Sequence, residues 1–135
     1  MNATRFTIAY WCVFVVAMMP YLCAVLAKRA GMKQHKSGRY DNAQPRVWLS
    51  ELSGWPARAN AAQANCFEAM PFFFVAVLLA HQMKALQGTL DMMCVLFVVL
   101  RLLYVLLYVA NMSTLRSLVW FMALGLNIAI FFAGF

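Results

Sequence analysis

Four apolar runs divide the chain. The first, from about Thr7 to Ala27, has 21 residues and no charge. At about 1.5 Å of rise per residue, a helix of that length crosses the roughly 30 Å hydrocarbon layer of a bilayer. Pro20 inside it predicts a bend. Lys28 to Arg46 shows no apolar periodicity, contains Gly31, Gly38 and Pro45, and reads as a loop. Val47 to Gln82 begins amphipathic and becomes wholly apolar. A helix start near Pro56 fits the tolerance of a first turn for proline. From there to Gln82 is 27 residues, enough to outrun the hydrocarbon and either tilt or project a polar start into the headgroups. Pro71 predicts a kink in this second span. After a turn around His81 to Thr89 come a third span, 90–111, and a fourth, 114–135. The short connections predict an all-α membrane protein, a single-domain up-and-down bundle of four transmembrane helices with approximate spans 7–27, 56–82, 90–111 and 114–135.

Composition agrees with this picture. With 65% hydrophobic and only 11% charged residues, the chain departs from soluble domains, in which about a quarter of residues are charged. A length of 135 residues leaves no room for a large extramembrane domain, so nucleic-acid binding is not expected despite a net charge of +7. The charge reports orientation instead. Lys28, Arg29, Lys33, Lys36, Arg39 and Arg46 lie in the first loop, against Lys84 alone in the second, and Arg116 starts the fourth span. The positive-inside rule then puts the first and third loops in the cytoplasm and both termini on the other side. The first run is too long for a signal-peptide core and lacks the flanking features of one, so it is expected to stay in the mature chain.

Cys12, Cys23, Cys66 and Cys94 all sit in apolar stretches with no CxxC pair, and read as small hydrophobes. His35 and His81 have no Cys, Asp or Glu at ligand spacing, so no metal site is expected. Tyr40, Asp41 and Asn42 before Pro45 form a turn by composition.

The polar residues inside the spans carry the chemistry, because a charge near the bilayer centre costs about 2.5 to 3.5 kcal/mol even on the mildest scale. Glu68 on the second span and Arg101 on the third lie level within one turn by helical rise, which predicts an ion pair between them. At 100° per residue, Arg58, Asn65 and Glu68 share one sector of the second span, beside the small Ala61 and Ala62. Arg101, Tyr104 and Tyr108 share one face of the third, climbing toward the cytoplasm. Arg116 and Ser117 start the fourth span, where free amides attract anions. Individually these residues also suit plain structural roles: a brace, an interhelical hydrogen bond, interfacial anchors. Together they suit a small zwitterion with excess negative charge, its carboxylates gripped by arginine, its ammonium by Glu68 and its amide by Asn65.

These residues resemble the MAPEG family, membrane-associated proteins in eicosanoid and glutathione metabolism. The signature is an arginine, then four residues later alanine, asparagine or glutamine, any residue, asparagine and cysteine. Here it is Arg58, Ala62, Gln63, Ala64, Asn65 and Cys66, followed by Glu68. Arg101 with Tyr108, and the pair Arg116 and Ser117, extend the match. The sequence departs from the signature at Ala57, Asn60 and Ala64, and its glycine, Gly54, lies two residues nearer the arginine. The resemblance implies a homotrimer that binds glutathione between subunits from the cytoplasmic side, in a bacterial inner membrane. It further implies glutathione contacts at Arg58, Asn65, Glu68, Tyr104, Tyr108, Arg116 and Ser117, with Arg101 deeper in the charge network. Arg116 and Ser117 would hold the thiolate for attack on a lipophilic electrophile or hydroperoxide.

Two other functions fit a chain of this kind. Some members of the family bind lipids or partner proteins without catalysis. A small multidrug transporter is also a short four-span protein, but its coupling depends on a carboxylate in the first span, and the first span here has none.

Overall fold

The computed structural model describes residues 6–135, and among these it is entirely helical. Its elements are α1 (Ile8–Gly31), α2 (Pro45–Ser50), α3 (Gly54–Gln82), α4 (Gln87–Val109) and α5 (Ser113–Phe131). All but α2 are long and apolar enough to cross a membrane. Tight turns join α3 to α4 and α4 to α5, so these helices alternate in direction. Lys84 and Asn111 adopt left-handed backbone in those turns, φ 59° and 62°. Asparagine tolerates that conformation, whereas lysine is strained in it.

The bundle core is narrow. On α3 the buried positions Ala59, Ala62, Cys66, Phe73, Ala76 and Ala80 recur at spacings of three, four and seven, the period of a left-handed helix seam. Most are small, which lets α1 lie close along α3, its most extensive contact. Phe73 stacks on Phe97 of α4, with ring centroids 4.2 Å apart and planes 7° from parallel. Large apolar side chains such as Leu78, Leu106 and Leu118 point outward, as lipid-facing positions do. Among the described residues α1 and α5 do not touch; α3 and α4 separate them. One flank of α3 and α4 is therefore covered by α1, and the other meets α5.

The start of α1 is satisfied by side chains from Thr7 and Asp91. The Asp91 carboxylate, at the start of α4, accepts from the Ala9 amide at 2.8 Å and the Gln87 side chain at 2.7 Å. This places a negative charge on the N-terminal dipole of α1. Both prolines expected to bend spans lie inside continuous helices, Pro20 in α1 and Pro71 in α3.

The first connection departs from the expected plain loop. Helix α1 runs on to Gly31, α2 forms at Pro45, and α3 begins at Gly54, before Pro56. The segment between folds back as a cap. His35 stacks on Trp48 at 4.4 Å, and Trp48 Nε1 donates to the Arg39 carbonyl at 3.1 Å. The Lys28 ammonium lies 4.4 Å from the centre of the Tyr40 ring. Gln34 exchanges two hydrogen bonds with the Ser53 backbone, at 2.9 and 3.0 Å. Asp41 accepts from the amides of Ala43 and Gln44, closing the expected turn. These contacts rest on Gly31, where a β-carbon would come within 2.5 Å of Leu52 Cδ2 and 2.8 Å of Trp48 Cη2. Gly31→Ala is expected to push α2 off the bundle and cost about 1 to 3 kcal/mol, the usual range for overpacking. A lowered thermal midpoint with red-shifted tryptophan emission checks this.

Candidate functional site

The site forms where α3, α4 and α5 meet, on the flank away from α1. Arg101 is its centre, only 2% exposed on a helix that is otherwise almost wholly apolar. Its Nη2 donates to Asn65 Oδ1 at 2.8 Å and lies 3.8 Å from Cys66 Sγ. Its guanidinium carbon is 4.4 Å from the centre of the Tyr104 ring, a cation-π contact one turn along the same helix. Asn65 Nδ2 in turn donates to Glu68 Oε2 at 3.3 Å.

The expected Glu68–Arg101 ion pair is therefore not direct. The Asn65 amide stands between the two charges, its oxygen toward Arg101 and its nitrogen toward Glu68. Asn65 and Glu68 are three residues apart on α3, so both reach the same face, and the amide lies on the arginine side. Glu68 is left exposed on the outside of the bundle.

Two adjoining grooves open on this flank, each with about 490 Å3 of space including the part open to the surroundings. The upper one, nearer the basic loop, is lined by Asn65, Tyr104, Arg116, Ser117, Trp120 and Phe121. The lower one continues past Asn65, Arg101 and Trp120 to Phe72, Phe97 and Asn127. Arg116 is half-buried, with its guanidinium carbon 4.2 Å from the centre of the Tyr108 ring and no carboxylate partner among the described residues. Tyr108 packs edge-on against Tyr104 at 5.7 Å. The Ser117 hydroxyl donates to the Ser113 carbonyl at 3.1 Å, so it must rotate before it can donate to a ligand.

Of the residues singled out from sequence, Asn65, Tyr104, Arg116 and Ser117 line the upper groove. Glu68 and Arg101 line the lower one, and Tyr108 supports Arg116. Arg58 lines neither. Its Nε donates to the Val109 carbonyl at 2.9 Å, tying the start of α3 to the end of α4. Sequence reasoning missed Trp120 and Asn127. An amide within an apolar span was the available signal for Asn127. The four cysteines are buried and unpaired, and Cys66 also touches the Arg101 guanidinium.

An unpartnered guanidinium over an open groove attracts a carboxylate or a thiolate, and the two tyrosine rings keep both arginines in place without neutralising them. The family model described as MAPEG family matches residues 8–135, essentially the whole chain. No curated protein and no solved structure gives a significant match.

Proposed function

The chain belongs to the MAPEG family, and from that premise we propose that it is a glutathione-dependent transferase or peroxidase acting on lipophilic substrates. One observation carries the proposal: Arg116, free of any acidic partner among the described residues, faces a groove that runs on into an apolar slot. A free thiol has a pKa of about 8.5, and a nearby guanidinium favours its anion at neutral pH. Glutathione supplies the nucleophilic sulfur. Arg116 holds its charge, Tyr104 and Asn65 line the space for its backbone, and Glu68 lies at the outer edge to meet its ammonium. The apolar slot presents the second substrate, whose polar products then leave toward the basic-loop end.

Exposure of Glu68 and the openness of both grooves support a site completed by a neighbouring copy of the chain, in line with a homotrimer. The six cations of the first connection support a cytoplasmic location for the glutathione side, with the termini on the opposite face of a bacterial inner membrane. Arg58, held by the Val109 carbonyl, keeps further guanidinium donors for a glutathione carboxylate.

Equilibrium binding of glutathione to the detergent-solubilised protein tests the proposal. Saturable binding that weakens in Arg58→Ala and Arg116→Ala is expected; its absence in the wild type overturns the proposal. Because Ser117 already donates to Ser113, Ser117→Ala is expected to slow conjugation by no more than about tenfold, the value of one modest hydrogen bond. A non-catalytic binding protein is the second reading, favoured by that same commitment of Ser117. Glutathione binding with neither conjugation of an aromatic electrophile nor reduction of a lipid hydroperoxide would establish it.

A further inference from the structure

Helix α5 carries one continuous line of groove residues. Arg116, Trp120, Ala123 and Asn127 follow at intervals of four, three and four, so they share a face. Eleven residues at the helical rise put Asn127 roughly 16 Å deeper in the membrane than Arg116. Between them the walls are aromatic or small: Trp120, Phe97, Phe72 and Ala123. At the far end, Asn127 is only 3% exposed, and its Oδ1 has no hydrogen-bond partner. An orphaned amide oxygen in an apolar span costs about 1 to 3 kcal/mol. Bundle architecture does not require it, since the buried α5 positions on either side, Ala123 and Ile130, are apolar.

We propose that Asn127 is a specificity-determining contact for the lipophilic substrate, and that this substrate is a long amphiphile with an uncharged hydroxyl remote from its reactive atom. The inference rests on the transferase reading for the location of the reactive atom, beside Arg116. From there the apolar slot accepts an extended chain, and the amide meets a hydroxyl roughly 16 Å further along. A hydroxyl matches because an amide both donates and accepts, and a hydroxyl does the same. A carboxylate is disfavoured there, because the cation of this groove, Arg101, is already engaged by Asn65 and the Tyr104 ring, and the walls beside Asn127 are largely apolar. Small aromatic electrophiles react at the Arg116 end without reaching Asn127, so they do not report on this contact.

A pair of long-chain 2-alkenals of equal length, one ending in a hydroxyl and one in a methyl group, provides the test. In either conjugation the glutathione sulfur bonds to the β-carbon, the π pair moves to the α-carbon, and that carbon takes a proton, so nothing leaves. The wild type is expected to prefer the hydroxyl-ended aldehyde in kcat/KM by about three- to tenfold, the worth of one neutral hydrogen bond. Asn127→Leu should erase the preference and Asn127→Ser retain part of it. A preference absent in the wild type, or equal in the wild type and Asn127→Leu, overturns the proposal, including when the substitution alters only the oligomeric state. If Asn127→Leu fails to fold, Asn127→Ser decides on the same ratio.

Failure of the glutathione reading is distinguishable. Were the wild type to conjugate neither aldehyde, radiolabelled long-chain α,ω-diol and the matching mono-alcohol would be bound without glutathione. Tighter diol binding that depends on Asn127 sustains the subsite; equal binding of the two alcohols ends it.

Discussion

Arg116→Ala is expected to lower the rate of glutathione conjugation at neutral pH by about a hundred- to thousandfold, the usual loss when one preorganised partner of a developing anion is removed. The side chain has no acidic partner among the described residues and rests against the Tyr108 ring, so its removal should disturb the fold little. The deficit should also depend on pH in a defined direction. Without the guanidinium, ionisation of the bound thiol returns toward that of the free group, about 8.5. The variant should then gain rate as pH rises through that value, while the wild type, already ionised at neutral pH, stays nearly level. Loss of thiolate absorbance in the complex should parallel loss of rate, and Arg116→Lys should recover part of both, because a point charge replaces a planar fork. A rate within a fewfold of wild type, or a profile that keeps its shape, would remove Arg116 from the chemistry.

The second large effect is on stability. Asn65→Leu is expected to destabilise the bundle by about 3 to 5 kcal/mol, the cost of stranding a buried charge. Among the described residues, Asn65 Oδ1 is the one oxygen bonded to the Arg101 guanidinium; the remaining contacts are a sulfur and an aromatic face. Glu68→Gln should cost far less, because Glu68 is exposed and reaches Arg101 only through the amide. A direct ion pair would reverse that order, making Glu68 the sensitive position. Urea or thermal unfolding of the two variants in detergent measures the difference.

The relay shows where the sequence stops informing. Helical rise put Glu68 and Arg101 at the same depth, but depth is resolved only to about one turn, and Asn65 lies within that turn on the same face. Which of two neighbouring polar groups meets the guanidinium depends on how far α3 is rotated against α4, and that is set by packing between them such as the stack of Phe73 on Phe97. The long helices themselves were legible, because a charge-free run of that length has few alternatives to a span. The cap over the basic-loop end was not. His35, Trp48 and Gln34 have no periodic pattern, and their contacts appear only once α1 has brought Gly31 beneath Leu52. Asn127 was overlooked for another reason. Attention to formal charge picks out arginine and glutamate, whereas a neutral amide gives a weak signal until its burial and missing partner are seen.

Proton release on glutathione binding addresses the central claim most directly. In weakly buffered detergent solution near neutral pH, a free thiol is almost fully protonated, so capture as thiolate beside Arg116 should release about one proton per molecule bound. Arg116→Ala should bind with little or no release. Tight binding by the wild type with no proton released would contradict the account, since the groove would then hold glutathione without activating its sulfur.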